Sequence, residues 1–221
     1  MPLNLPNILT VLRLLAAPLV ALAFIVFSSP VADILAFVLF VSAAITDFFD
    51  GYLARRWGQE SDFGRMLDPI ADKVMVVIAL ALLIGVWRGS LWILIPAVII
   101  LFREVFVSGL REFLGTQKDL LKVTPLAKWK TTAQMFAIGL LFLAGVFQDN
   151  LRVIYYSMEP AKYEQVLDGV LPDKEGLIQA RWLNEIVTGG GLVLLWLAAL
   201  LTLVTGWDYF RKALPLLKDG S

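Results

Sequence analysis

Six apolar stretches of about 20 residues each restrict how this chain can fold more than any other feature. A helix of that length matches the ~30 Å hydrocarbon core of a bilayer. The overall mean hydropathy of +0.77 is too high for an ordinary soluble domain. We therefore predict an all-α polytopic membrane protein, a single six-helix domain over residues 1–221. The spans are expected at about 8–27, 31–54, 66–86, 91–114, 126–147 and 186–208.

The chain has no cysteine and no histidine. Any general base must therefore be Asp, Glu, Lys or Tyr, and any metal site in the protein must be built from oxygen ligands. The 19 basic and 19 acidic residues balance, so total charge indicates no partner, and we expect none among nucleic acids.

Residues 148–185 form the one long polar segment between two apolar stretches. We interpret it as an extracytoplasmic loop insertion with a surface helix; a part in substrate recognition is the alternative. Basic residues favour the cytoplasmic side of a membrane. Their distribution puts both termini and the turn between the second and third spans in the cytoplasm.

Four aspartates lie where the second apolar stretch ends and the third begins: Asp47, Asp50, Asp68 and Asp72. At 100° per residue, each pair lies on one face of its helix. Consecutive spans joined by a short linker are antiparallel neighbours, so the two acidic faces can meet. Carboxylates gathered in a weakly screened site need a positive partner. The sequence therefore predicts Mg²⁺ or Mn²⁺ at the tip of this hairpin.

The residues around these acids suit a phosphate-bearing substrate. Gly51 and Ala54 share the face of Asp47 and leave room for close approach. Arg55, at the edge of that face, can bind a phosphate. Together they indicate a pyrophosphate group. The alternatives are an ion pathway, a structural ion pair or solvated helix ends. A transporter, however, usually places such acids near the bilayer midplane.

The spacing D-x2-D-G-x2-A-R-x8-G-x3-D-x3-D is the signature of the CDP-alcohol phosphotransferase family. The chain resembles that family at all eight fixed positions: Asp47, Asp50, Gly51, Ala54, Arg55, Gly64, Asp68 and Asp72. Three further blocks, NLPNILTVLRLLAAPL, REVFVSGLREFL and TPLAKWKTTAQM, are similar to the bacterial phosphatidylglycerophosphate synthases within it. The resemblance implies a six-helix membrane bundle that commonly forms a homodimer, in a bacterial inner membrane.

The resemblance also implies a reaction. CDP-diacylglycerol and sn-glycerol 3-phosphate would give phosphatidylglycerophosphate and CMP. It implies that Asp47, Asp50, Asp68 and Asp72 hold the metal, expected to be two ions, and that Asp72 is also the general base. The lipid tails of CDP-diacylglycerol would stay in the membrane while its headgroup enters between helices at the cytoplasmic edge.

The cytidine nucleotide is expected to be bound from two places. Gly51, Arg55 and Gly64 belong to the signature, and Gly64 is expected to leave space for the cytosine ring. Residues outside the signature are Asn7 and Thr10 on the first helix and, more weakly supported, Ser61 in the linker. Helix capping is the alternative explanation for Asn7 and Thr10.

The acceptor phosphate needs a cationic site of its own. The candidates are Arg103, Arg111, Lys128 and Lys130, all on the predicted cytoplasmic side. Ordinary positive flanks of membrane spans are the alternative. That alternative explains Arg103 poorly, because it lies within an apolar run and needs a partner there; Glu104 is the candidate partner.

Two other functions remain open from the sequence. The same chemistry could use phosphatidylglycerol, inositol phosphate or serine as acceptor. A divalent-cation transporter could use the same acids, but it would release no CMP.

Overall fold

In a computed structural model, the described residues are 4–57, 61–115 and 125–218. Inside the helices, the side chains of residues 48, 50–55, 125, 127, 128 and 216–218 lie outside the description. The described parts of the chain hold seven helices and no strand. The helices are α1 Leu5–Val26, α2 Val31–Trp57, α3 Asp62–Val86, α4 Leu91–Leu114, α5 Pro125–Ser157, α6 Pro160–Leu167 and α7 Leu177–Lys218.

Five of these helices are long and apolar enough to cross a membrane within the part of the chain that the structure describes. They are α1, α3, α4, α5 from Trp129, and α7 as far as Pro215. The protein is thus an all-helical integral membrane protein, as predicted. The 27 residues of α2 reach about 40 Å, long enough for a span. A sixth span along α2 stays a prediction.

Local sequence explains where α1 and α3 begin. Asn4 caps α1, because its side-chain oxygen accepts a hydrogen bond from the backbone N–H of Asn7 at 3.1 Å. Ser61 caps α3 in the same way, through the N–H of Gly64 at 3.0 Å. Both residue types are preferred at this position, where helical N–H groups lack partners within the helix.

The polar segment 148–185 is shorter than predicted as a connection. Residues 148–157 continue α5 and residues 177–185 begin α7, so the link between them is 158–176 and contains α6. The predicted end of α5 and the predicted start of α7 were wrong, because an apolar stretch marks only the length of helix that lies in the membrane. The backbone hydrogen bonding continues into polar sequence.

Contacts within the chain divide it into two compact units. One comprises Met1–Ala79 and Gly139–Gly191, and the other comprises Leu80–Ile138 and Leu192–Ser221. The first contains the carboxylate hairpin, and the second contains Arg103 and Arg111.

In the first unit, α2 and α5 lie side by side and antiparallel. Gly139 faces Val41 near the middle of α2, and Gly145 faces Asp33 near its start. Between them, the rings of Phe40 and Phe142 pack at 5.7 Å. Small residues allow this close helix contact. The C-terminal end of α5 therefore lies at the end of α2 opposite to Asp47.

A second close contact predicts a stability difference between two glycines of α7. A Cβ at Gly191 would lie 3.0 Å from two atoms of Leu141, whereas a Cβ at Gly189 would meet nothing within 4 Å. Gly191→Ala is expected to cost about 1–3 kcal/mol through overpacking. Gly189→Ala is the matched control, and it is expected to be neutral or slightly stabilising because alanine favours helix. Thermal unfolding in detergent checks this; equal unfolding temperatures would contradict it.

Candidate active site at the carboxylate hairpin

A buried arginine links the two acidic helices. Arg13 of α1 is only 3% exposed. Its Nη1 donates to Asp47 of α2 and, at 2.6 Å, to Asp72 of α3. Two carboxylate oxygens from different helices therefore converge on one nitrogen. The prediction that the acidic faces of α2 and α3 meet is confirmed for this pair.

The polar residues of α1 form one stripe. Asn7, Thr10 and Arg13 are buried and recur every three residues, and the small residues Ala17 and Ala23 continue the same buried face. Residues three or four apart lie on one side of a helix. The stripe is thus polar at the hairpin and apolar along the rest of α1.

Thr10 connects this stripe to the third acid. Its Oγ1 lies 2.7 Å from Asp68 Oδ1 and 3.1 Å from the carbonyl oxygen of Pro6. Thr10 therefore places Asp68 beside α1, one turn of α3 before Asp72. Capping does not explain Asn7 or Thr10, because Asn4 caps α1.

Asn7 and Ser61 lie together at the start of α3. The Ser61 hydroxyl donates to Asn7 Oδ1 at 2.8 Å. A Cβ on Gly64 would come within 3.0 Å of that same oxygen and 3.4 Å of Ser61 Oγ. The space left by Gly64 is therefore filled by Asn7, and the glycine allows α1 to approach α3. Its predicted role beside a cytosine ring remains untested.

The residues present suit a hard divalent cation. Asp47 and Asp72 have side chains 43% and 51% exposed, so both carboxylates are open to a ligand as well as to Arg13. No group of three acidic residues that could hold a metal is found among the described residues. The side chain of Asp50 lies outside those described residues. Mg²⁺ and Mn²⁺ prefer oxygen ligands, and the carboxylates of Asp47 and Asp72 supply such oxygens beside Arg13.

The signature residues of α2 lie partly outside the description. The backbone of α2 is helical through Asp50, Gly51 and Arg55, which preserves their predicted order around the helix. Their side chains lie outside the described residues, so their predicted roles remain predictions.

In the second unit, two of the predicted acceptor-binding residues flank one tyrosine. The guanidinium carbons of Arg103 and Arg111 lie 5.5 Å and 5.4 Å from the ring centre of Tyr209. Arg111 also donates to the Tyr209 hydroxyl at 3.3 Å. Tyr209 is 4% exposed and belongs to a core cluster with Val107. Cation–π contact with Tyr209 of α7 thereby holds a pair of cationic side chains on α4.

Glu104 is the partner predicted for Arg103. The two side chains are joined at 3.2 Å, and Lys130 of α5 forms an ion pair with the same carboxylate. Lys130 is 5% exposed, so this pair satisfies a charge that would otherwise be costly to bury. The predicted cationic cluster thus includes a carboxylate. The side chain of Lys128 lies outside the described residues.

Comparison with known proteins identifies the family. Residues 3–161 match the family model described as CDP-alcohol phosphatidyltransferase. The chain belongs to the CDP-alcohol phosphatidyltransferase family. The match includes the whole carboxylate hairpin and all of α5, so the family signature and the Arg13 cluster fall within it.

Similar members of the family cover nearly the whole chain. A protein of Cereibacter sphaeroides is 56% identical over 98% of both chains. One from Rickettsia bellii is 41% identical over 94% of both. One from Haemophilus influenzae is 39% identical over 78% of this chain and 98% of its own. All three carry the name CDP-diacylglycerol–glycerol-3-phosphate 3-phosphatidyltransferase.

Arg13 and Tyr209 were missed as site residues by sequence reasoning. For Arg13 a signal existed, because an arginine inside an apolar span needs a carboxylate partner. The same reasoning was applied to Arg103 and not to Arg13. No local pattern marks Tyr209, which lies 98 residues from Arg111 in the chain.

Proposed function

We propose that this family member transfers the phosphatidyl group from CDP-diacylglycerol to sn-glycerol 3-phosphate, giving phosphatidylglycerophosphate and CMP. The convergence of Asp47 and Asp72 on Arg13, with Asp68 one turn away, carries the proposal. Such a cluster suits a metal-dependent reaction of a pyrophosphate. The names of the similar proteins support the choice of both substrates.

In the proposed mechanism, Asp47, Asp50, Asp68 and Asp72 would hold Mg²⁺ or Mn²⁺, expected to be two ions. When bound, such ions neutralise charge on phosphoryl oxygens and on the departing CMP. Asp72 accepts the proton from a glycerol hydroxyl, whose oxygen bonds to the phosphorus that bears diacylglycerol. The bond from that phosphorus to the CMP oxygen breaks, and CMP leaves with the electron pair. Arg13 holds the carboxylate of Asp72 in place through Oδ1.

The nucleotide is proposed to lie along the polar stripe of α1 and the start of α3. Asn7, Thr10, Ser61 and Gly64 form one contact network there, next to Asp68. Gly51 and Arg55 of the signature complete the proposed nucleotide site. A bound ligand can replace the hydrogen bond that Ser61 now donates to Asn7.

The acceptor phosphate is proposed to bind Arg103 and Arg111, with help from Lys128 and Lys130. The ring of Tyr209 contacts both guanidinium groups, at 5.5 Å and 5.4 Å from its centre. Each retains N–H donors for a phosphate, because a guanidinium has five.

A kinetic prediction follows for the acceptor site. Arg111→Ala is expected to raise KM for sn-glycerol 3-phosphate about 10–100-fold, the value of a charge-assisted hydrogen bond. The KM for CDP-diacylglycerol should change less than threefold. Arg211→Ala, an exposed arginine of the same unit on α7, is the matched control. Equal effects of both variants, or an effect on the lipid substrate alone, would remove Arg111 from the acceptor site.

The remaining parts of the proposal concern placement in the cell. We propose a homodimer in a bacterial inner membrane, with six spans, both termini cytoplasmic and the carboxylate hairpin at the cytoplasmic edge. There the pyrophosphate of CDP-diacylglycerol reaches the acids while its acyl chains stay in the membrane lipid.

CMP release by the purified protein tests the function. The assay contains CDP-diacylglycerol and Mg²⁺, with or without sn-glycerol 3-phosphate. Release that depends on sn-glycerol 3-phosphate supports the proposal. Release only with phosphatidylglycerol, inositol phosphate or serine would keep the chemistry and change the acceptor. Absence of release with every acceptor, together with metal flux into liposomes, would favour the transporter.

A further inference from the structure

A cavity of about 350 Å³ lies in the first unit, away from the carboxylate hairpin. Its walls come from the end of α5, from α6 and from the start of α7. Asp33 contacts Gly145 of α5, and the cavity begins one turn later at Gln148. Because Asp33 and Asp47 are about 21 Å apart along α2, the cavity lies at the opposite end of this unit from the acids.

The surroundings of the cavity are typical of a membrane interface. Tyr156 is 82% exposed and Trp182 is 60% exposed, on α5 and α7 at the ends of their apolar stretches. Tyrosine and tryptophan concentrate where lipid headgroups meet the acyl region. A cavity beside such residues suits a ligand that lies at the depth of the lipid headgroups.

The charged groups of the cavity are paired but retain donors. Arg152 binds Asp149 through Nη1 at 2.9 Å, and Arg181 binds Glu185 through Nε at 2.8 Å. Each pair engages one nitrogen of a guanidinium that has five N–H donors, so both arginines can also bind a phosphate. Since the positive charges are matched by carboxylates, the cavity suits a zwitterion better than an anion.

Three tyrosines and one amide side chain of the cavity can bind an amine. Tyr155 packs edge to face against Tyr156 and Tyr163, with ring centres 5.4 Å and 5.0 Å apart. Aromatic rings grouped in this way attract a cation. Asn184 also lines the cavity, and its buried Oδ1 has no hydrogen-bond partner. A buried acceptor without a donor is costly, and an ammonium N–H would supply one.

We infer that this cavity binds the headgroup of a phosphatidylethanolamine molecule in the leaflet opposite to the carboxylate hairpin. The phosphate lies against Arg152 and Arg181. The ammonium lies against the tyrosine cluster and donates to Asn184. The site is separate from the proposed active site and takes a lipid that is not a substrate of the proposed reaction.

Native mass spectrometry of the delipidated full-length protein tests this site. Phosphatidylethanolamine, phosphatidylglycerol and phosphatidylcholine are added separately, and free phosphoethanolamine is added in a fourth arm. We expect one phosphatidylethanolamine to bind at least tenfold more tightly than either other lipid. Equal affinity for the three lipids would overturn the inference. So would free phosphoethanolamine binding as tightly as the lipid, because that would indicate a soluble ligand.

Variants separate the two halves of the headgroup. Asn184→Leu should remove the preference for phosphatidylethanolamine over phosphatidylcholine, and Arg181→Gln should weaken both about equally. Lys162→Gln, an exposed residue of α6 paired with Glu175, is the control and should change neither. Asn184→Ala serves as a second test if Asn184→Leu does not fold, since it removes the same buried amide oxygen without adding a larger side chain. Retention of the lipid preference in a folded Asn184 variant would overturn the inference.

Discussion

Asp72→Asn is expected to reduce CMP release about 10²–10⁴-fold, the usual contribution of a positioned general base. The chain has no histidine, and a carboxylate is one of the side chains that can take this role instead. Asp72 is the proposed base; its side chain is half exposed, and its Oδ1 is held by Arg13. Asparagine keeps the shape of the side chain but cannot accept the proton.

The control for this variant is Asp62→Asn in the same helix. Asp62 lies in the first turn of α3 and pairs only on the surface with Arg65, at 2.5 Å. It should retain nearly full CMP release. An Asp72→Asn protein within tenfold of the wild-type rate would contradict the assignment of the base.

A magnesium titration distinguishes two roles of Asp72. A variant that had lost only a metal ligand should recover its rate at high Mg²⁺ or Mn²⁺. A variant that had lost the base should remain slow at saturating metal. We expect the second result, with the binding of CDP-diacylglycerol weakened much less than turnover.

Arg13→Gln is expected to lower both stability and activity. Its guanidinium is buried between Asp47 and Asp72, and its removal leaves two convergent carboxylates without a positive partner. Breaking a buried ion pair typically costs about 3–5 kcal/mol. Because the carboxylates are half exposed, the lower end of that range is expected here. The measurements are thermal unfolding in detergent and CMP release.

Two further variants show whether the loss comes from charge. Arg65→Gln removes an exposed arginine, also paired to an aspartate, and should change stability by less than about 1 kcal/mol. Arg13→Gln combined with Asp47→Asn should recover much of the lost stability, because the uncompensated charge is gone. It should not recover activity. If the double variant were as unstable as the sum of the single ones, Arg13 would act through packing instead.

The cluster around Arg13 shows which contacts helical periodicity can predict and which it cannot. Periodicity correctly placed Asp47 on one face of α2 and Asp72 on one face of α3, and neighbouring antiparallel helices brought the faces together. The sequence also predicted a positive partner for these acids and named Mg²⁺ or Mn²⁺, which stays a prediction. In the structure Arg13 contacts both acids. The sequence signalled that Arg13 needs a carboxylate, but not which ones, because its partners lie 34 and 59 residues away.

In the second unit, too, the sequence predicted some contacts and not others. The sequence indicated that Arg103 needs a partner, because a charge in an apolar run must be compensated. It also indicated Glu104 as that partner, because Glu104 is adjacent in the chain. The sequence did not predict that Glu104 also pairs with Lys130, which lies 26 residues away in the chain. Nor did the sequence predict the contact of Tyr209 with both arginines.

The sequence alone therefore determined membrane insertion, the helical class and the family. Long apolar segments are stable in a bilayer as helices, because a helix satisfies its backbone hydrogen bonds internally. Eight residues at fixed spacing identify the family. Packing decided three features: the contact of Arg13 with the acids, the contact of Tyr209 with two arginines, and the cavity at the far end of α5. Periodicity reports which face of a helix is polar. Which helix lies against that face depends on close contacts such as Gly64 against Asn7, which exist only once the helices have assembled.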